Sequence, residues 1–373
     1  MDDNRKRTWA EISLGAIERN YRAMRACLPA GCRFLGVVKA NAYGHGAARV
    51  SRLLEDVGCD YLAVACIDEA RELRAAGITL PILILGYTPP AYAPELAALR
   101  VTQAVGDLAT ARAMDEALAG TGKTLTVHLK LETGMGRTGF RVFGDWDAAP
   151  AAEAARLPRL RAEGVFTHFC VSDADEETRV FTNTQLARFR AAVEAIEAAA
   201  GRAFEIRHCT NSGAMHSFPE TYMDMVRPGV SLYGMYPGPD RERIALEPAM
   251  TLLTRVAYVE RHEPGDTVSY GRTFTVERPS ELAVLPIGYA DGLHRVLSNR
   301  LSVMINGHIV PQVGRICMDM CMADVTGLGV KPGDVAEIFG KHMPIDDVAE
   351  LAGTIHYELT CAVGPRVPRV YVD

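Results

Sequence analysis

Residues 1–245 read as a (β/α)8 TIM-like barrel and residues 246–373 as a C-terminal, mostly-β domain, an α/β + β chain. Two features predict this. Up to about residue 240, short β-branched or apolar runs alternate with Ala-, Leu-, Arg- and Glu-rich stretches at helical spacing; from Glu247 onward that helical periodicity fades and strand-like runs are separated by turn residues. Alternation of the first kind marks a parallel sheet covered by helices, and its extent matches one barrel. An open doubly wound sheet has the same local pattern, so periodicity alone leaves both open.

In order, the expected barrel strands are Phe34–Val38, Tyr61–Ala65, Ile82–Leu85, Thr102–Val105, Thr124–Leu131, Gly164–His168 and Ala203–Arg207. They are short and dominated by apolar or β-branched residues, as strands buried on both faces are. Between them Leu14–Ala26, Asp68–Ala76, Leu108–Leu118 and Asn183–Ala200 repeat apolar residues at helical spacing. In the last third the expected strands are Leu252–Val259, Thr267–Tyr270, Leu282–Leu285, Leu301–Ile305 and Val335–Phe339. Pro264-Gly265-Asp266 and Pro332-Gly333-Asp334 are predicted to be type II turns with Gly at the positive-φ position.

Forty Lys+Arg against 46 Asp+Glu leave a net charge of −6, which argues against a nucleic-acid footprint. The composition, 48% hydrophobic and 23% charged, is that of a globular chain with room for large cores. The most apolar stretch, Pro81 to Gly86, is far too short to span a bilayer. The N-terminal residues MDDNRKRTWAEI lack an apolar leader, so the expected location is cytoplasmic, with no membrane partner. Nine cysteines, an odd number without a C-x-x-C pair, read as free thiols; they support neither a disulfide framework nor zinc.

Lys39 closes the apolar run Phe34–Val38 and opens the loop Ala40-Asn-Ala-Tyr-Gly-His-Gly46, which in a barrel is the catalytic face. Desolvation there favours the neutral amine needed for Schiff-base chemistry, although a lysine whose stem simply lies on apolar surface fits the same position. Gly134, Gly136 and Gly139 form G-x-G-x-x-G after a strand, but no clear amphipathic helix follows; a flexible turn that presents Arg137 to an anion explains the glycines better than dinucleotide binding does. Ser212, at an expected helix start, and the amides of Gly229 and Val230 after Arg227 suit a phosphate, with a plain N-cap role for Ser212 as the alternative. In the β domain, Ser269-Tyr-Gly-Arg272, Gly288-Tyr-Ala-Asp-Gly292 and Gly314-Arg-Ile-Cys-Met-Asp319 are polar-aromatic clusters that core packing does not require. Tyr270, with an intrinsic pKa of about 10, acts as a base only if nearby cations favour its phenolate.

Taken together, Val37-Val-Lys-Ala-Asn-Ala-Tyr-Gly-His-Gly46, Glu132-Thr-Gly-Met-Gly-Arg137, Asn211-Ser212, Arg227-Pro-Gly and the three β-domain clusters resemble the alanine racemase family over nearly the whole chain. The resemblance implies a (β/α)8 barrel, a C-terminal β domain, pyridoxal 5'-phosphate as cofactor, a small amino acid as substrate, and a homodimer with shared active sites. It makes Lys39 the Schiff-base lysine, Tyr43, Ser212, Gly229 and Val230 the phosphate ligands, and His168 the residue beside the ring. Arg137 would meet the phenolic oxygen and Arg227 the pyridine nitrogen, while Arg137 and the Met318 amide would receive the substrate carboxylate. Tyr270 would reach the site from the partner subunit, and Tyr289, Cys317 and Asp319 would support it. Lys130 matches a position that can be carbamylated. Two bases on opposite faces, Lys39 and Tyr270, suit removal and return of the Cα proton.

Three departures bear on substrate. Glu132 stands where the family usually has Asp, Pro365 stands where it commonly has a site-narrowing Tyr, and His168-Phe-Cys-Val-Ser-Asp173 looks more like the serine-racemising branch. The expected activity is therefore alanine racemisation, with serine preference as the alternative. A fold type III decarboxylase lacks support because no paired Cys/Asp substrate loop is found, and the β domain bearing Tyr270 argues against a noncatalytic cofactor-binding protein.

Overall fold

The computed structural model describes residues 3–172, 176–238 and 243–373; Asp173 of the serine-like segment lies outside them. The chain forms two compact units. One comprises Glu18–Ala42 and Ala47–Leu246; the other comprises the residues up to Ile17, Tyr43–Gly46 and Glu247–Asp373.

In the first unit eight parallel strands follow one another in chain order: Arg33–Val37, Tyr61–Val64, Ile82–Ile84, Val101–Val105, Leu125–Glu132, Leu160–Phe166, Ile206–His208 and Met225–Val226. The last pairs with the first, and backbone bonds from Asp224 N to Arg207 O (3.2 Å) and Arg227 N to Thr210 O (3.0 Å) join the last two. The ring is therefore a barrel rather than an open sheet. Seven strands lie close to the expected runs. The eighth was not anticipated, because two apolar residues are too few to register as a run.

In the second unit a nine-stranded sheet runs in the order Tyr258–His262, Ser280–Leu285, Cys321–Asp324, His308–Val313, Ser302–Ile305, Val335–Phe339, Met250–Arg255, Thr8–Ser13 and Arg369–Val372. All neighbours are antiparallel except the last pair, where Ala10 stands opposite Arg369 in parallel register. The expected strand Leu252–Val259 is in fact two strands, ending at Arg255 and resuming at Tyr258. Gly265 and Gly333 both have φ of 96°, as the two Pro-Gly-Asp turns require. The chain passes from the first unit to the second after Leu246, and Thr8–Ser13 joins the sheet of the second unit.

Candidate functional site

Lys39 follows the first barrel strand and opens an unusual turn. Ala40, Asn41, Ala42 and Tyr43 all have φ between 52° and 55°, a left-handed turn made of four L-residues. Each such residue costs about 1–3 kcal/mol and persists only where its surroundings fix it. Here Ala40 N donates to Glu69 Oε1 (2.7 Å), Ala42 N to Val38 O (2.9 Å) and Ala47 N to Asn41 Oδ1 (2.8 Å).

Lys39, Lys130, Arg137 and Arg227 all act on His168, which lies beyond the sixth strand. Burial first, then the positive fields of Arg227, Arg137, Lys130 and Lys39, holds its imidazole well below the ordinary value and hence neutral. Arg227 is buried, and its guanidinium donates to Thr167 O (2.8 Å), Cys209 O (3.2 Å) and His208 Nδ1 (3.0 Å), with no carboxylate among these partners. Burial lowers its pKa to about 10, which still leaves it protonated at neutral pH.

Because Arg227 can only donate, His208 Nδ1 must accept. His208 then carries its proton on Nε2 and donates to His128 Nδ1 (2.9 Å), and His128 Nε2 donates to Glu163 Oε2 (3.2 Å). The Tyr61 hydroxyl donates to the same carboxylate oxygen (2.7 Å). A cation at one end and an anion at the other thus fix both tautomers of a neutral histidine pair.

Lys130 Nζ donates to Leu131 O (2.9 Å) and lies 5.4 Å from the Phe166 ring centre. Burial, then Arg227, lowers its pKa to about 7; Glu132 only partly opposes this. The Glu132 carboxylate instead accepts the N–H groups of Gly134 (2.5 Å), Met135 (2.6 Å) and Arg137 (3.0 Å), shaping the glycine turn that displays Arg137. The short strand Phe140–Arg141 follows, which removes the helix start a dinucleotide site needs.

Asn211, not Ser212, caps the helix Ser212–Ser217: its Oδ1 accepts Ala214 N at 2.9 Å. Ser212 Oγ accepts Gly229 N (2.9 Å), which leaves its hydroxyl proton available for a further acceptor. Val230 begins the 3-10 turn Val230–Tyr233.

The remaining expected residues belong to the second unit. Tyr43 is half-buried, its ring packed against Tyr357 with centres 6.4 Å apart, and burial raises its pKa. Gly44 needs its φ of 85°, and a Cβ there would stand 2.1 Å from Thr360 O. Tyr270 is 71% exposed in a tight turn anchored by Ser269 Oγ, which donates to Arg315 O (2.7 Å). Tyr289 N donates to Cys317 O (3.0 Å) and Ala290 N to Met318 O (3.1 Å), so the three β-domain clusters meet. Beneath them Asp291, fully buried, accepts two bonds from Arg7 (2.7 and 2.8 Å) and two from Arg366 (2.8 and 3.1 Å); Arg366 also donates to Asp319 Oδ1 (2.8 Å).

The first unit is thus a (β/α)8 protein with a cluster of cationic side chains beyond the carboxyl ends of its strands. Residues 12–237 match the model of the alanine racemase N-terminal domain and residues 249–371 that of the alanine racemase C-terminal domain. The chain belongs to the alanine racemase family. It is 44% identical to an alanine racemase of Desulfosudis oleivorans, over 98% of this chain and 96% of that one. The alanine racemase of Clostridium difficile superposes with a TM-score of 0.93 at 37% identity, covering 98% and 96% of the two chains. The same enzyme in complex with cycloserine gives 0.90 at 36%, covering 98% and 95%.

Proposed function

We propose that this chain is a pyridoxal-phosphate-dependent isomerase that interconverts L- and D-alanine, working as a cytoplasmic homodimer. What carries this is the buried Arg227, whose Nη2 lies 3.5 Å from His168 Nδ1, together with the positive fields of Arg137, Lys130 and Lys39 that keep the same imidazole neutral. Such a donor set suits an anionic, ring-bearing ligand. In this reading Ser212 Oγ, the Gly229 and Val230 amides and Tyr43 Oη would hold the phosphate, and Lys39 Nζ would hold the cofactor covalently. Arg137 would meet the phenolic oxygen, Arg227 the pyridine nitrogen, and His168 would lie beside the ring. When bound, the cofactor supplies an electron sink for the pair left behind as Cα loses its proton.

The protein's own part is placement and proton transfer. Arg137 and the Met318 N–H hold the substrate carboxylate, so that each face of Cα meets one base. Lys39 Nζ exchanges the proton of the D-enantiomer and Tyr270 Oη that of the L-enantiomer. Tyr289, Cys317 and Asp319 support the Met318 turn. Arg227, protonated at neutral pH, would donate to the pyridine nitrogen and so disfavour protonation of that nitrogen. Tyr270, Met318 and Tyr289, exposed by 71, 52 and 43%, form the surface a partner subunit covers, and Tyr270 serves the partner's site. Nine free cysteines fit a reducing compartment, and no described helix is long and apolar enough to cross a membrane.

Lys130, with a pKa of about 7, has a neutral fraction at neutral pH. A neutral amine adds to carbon dioxide and loses a proton to give a carbamate, whose carboxylate would accept from Arg137; a carbon-13 signal from labelled bicarbonate, absent in Lys130→Met, tests this. Serine as a second substrate is favoured by Pro365, which is exposed and lacks the phenol expected to narrow the site. Steady-state kinetics on alanine and serine with Pro365→Tyr decide the point. If the wild type rejects serine as strongly as the variant does, Pro365 is not the determinant.

The main reading is tested by borohydride reduction of the yellow protein and peptide mapping, together with the loss of optical rotation of L-alanine. A label on Lys123 or Lys130 removes Lys39 from its role; carbon dioxide release identifies a decarboxylase instead.

A further inference from the structure

The helix Glu176–Ala200 begins earlier than its sequence pattern indicates, and one of its buried polar residues has no part in the scheme above. Gln185 is fully buried. Its Oε1 accepts the Cys170 N–H (3.1 Å), and its Nε2 donates to Thr133 Oγ1 (3.0 Å) and to His168 O (3.2 Å). One amide therefore joins the loop after the fifth barrel strand to the loop after the sixth.

The direction of these bonds is set by their neighbours. Thr167 Oγ1 donates to Leu131 O (3.0 Å), so in its 2.8 Å contact with Thr133 Oγ1 it must accept. Thr133 then donates to Thr167, and its own oxygen must receive the Gln185 amide proton. The relay Gln185 to Thr133 to Thr167 ends on Leu131 O, the carbonyl that also receives Lys130 Nζ (2.9 Å). The backbone carbonyl of Thr167 is in turn a partner of Arg227 (2.8 Å).

The same helix grips these loops at two further points three residues either side. Thr182 Oγ1 donates to Val171 O (2.5 Å), and Arg188 Nη1 donates to Thr133 O (2.8 Å). Residues at this spacing share one helix face.

We infer that Gln185 is a positioning residue: it sets the spacing between the loop that leads to Arg137 and the loop that carries His168, and through Thr133 and Thr167 it orients the carbonyl that holds Lys130. The inference rests on the functional reading above for the importance of those residues, while the geometry itself is independent of it. A side chain that cannot make both kinds of bond uncouples the two loops. Gln185→Met keeps the length and removes every bond; Gln185→Glu keeps the acceptor for Cys170 N–H and loses the donor to His168 O.

Hydrogen exchange followed by mass spectrometry reads the clamp without any cofactor. In Gln185→Met, exchange in peptides covering 131–137 and 167–172 should rise about ten-fold, the effect of losing a buried hydrogen bond, while the nine-stranded sheet stays as protected as in the wild type. Gln185→Glu should fall between, and it serves as the test if Gln185→Met does not fold. In the holoenzyme, kcat for alanine should drop about ten-fold with KM changed less, and the visible absorption band of bound pyridoxal phosphate should shift. Unchanged exchange in both loops overturns the clamp. Loosened loops with unaltered absorbance and kcat overturn its positioning role. A wild type that neither binds pyridoxal phosphate nor racemises alanine removes the functional reading, and the exchange measurement still decides the clamp.

Discussion

The charge cluster around Asp291 in the second unit and the one around Arg227 and Lys130 in the first are built in opposite ways. In the second, the fully buried carboxylate of Asp291 is gripped by two guanidinium groups and a backbone N–H from Gly288 (2.9 Å). In the first, the buried Arg227 and Lys130 bond only to carbonyls and imidazole nitrogen, and the nearby Glu132 carboxylate is directed to backbone amides instead. Saturated charge is structural cement; charge with neutral partners is held ready for something else. The contrast separates residues expected to govern stability from residues expected to govern chemistry.

The largest effect expected is on chemistry. Lys39→Ala should lower racemase activity by roughly 1000-fold or more and abolish the borohydride label while leaving the melting temperature nearly unchanged. Tyr270→Phe should slow Cα deuterium exchange far more for L- than for D-alanine, and equal losses would defeat the division of labour between the two bases. At the other pole, Asp291→Ala leaves Arg7 and Arg366 facing each other without their anion. It should cost about 3 kcal/mol of stability in denaturant unfolding, less than for a wholly desolvated pair because both arginines are partly exposed. An Asp291→Ala protein as stable as the wild type would break the comparison.

Lys130 sharpens the contrast through pH. Its folded pKa of about 7 lies below the ordinary 10.5. Between those values the unfolded chain binds a proton that the folded chain lacks, so this group's contribution makes stability rise with pH across that window. Below about pH 7 the full penalty of burying a cation is present. Lys130→Met should therefore flatten the rise in melting temperature between pH 7 and 10 in carbon dioxide-free buffer, whereas an unaltered slope shows that the buried amine is not strained. The smallest change is expected from Glu132→Asp. One methylene shorter, the carboxylate should lose at least one of its three short amide bonds, about 1 kcal/mol, and KM for alanine should rise a few-fold.

How much of this was legible depended on how local the signal was. Lys39 stood out because an apolar strand stops at it, and seven barrel strands because each is a short run dominated by apolar or β-branched residues. Met225–Val226 is too brief to show, and Thr8–Ser13 is distant in sequence from both strands it pairs with. Gln185 gave no sign, since a glutamine on a long helix reads as solvent-facing until the loops it binds are known. Glu132 was visible as an oddity of length, but its role emerged only with the amides folded around it. Asp291 and Arg366 lie inside motifs the sequence brought forward, yet nothing local says that they pair.

The sheet that holds Asp291 has a consequence for how the chain is made. Strand Thr8–Ser13 sits between Met250–Arg255 and Arg369–Val372, so both of its edges are satisfied only by residues synthesised much later. At about 5–20 residues per second, residues 8–13 wait roughly 20 to 70 s on a translating ribosome before 369–372 exist. Throughout that interval Trp9, Ala10 and Ile12, all buried in the finished protein, have no native strand beside them on one edge or both. The barrel strands meet their neighbours in order as they emerge, but this sheet is completed only from the last residues backward. Until residues 369–372 have been made, Thr8–Ser13 therefore remains an incompletely paired strand with apolar side chains that the finished sheet buries.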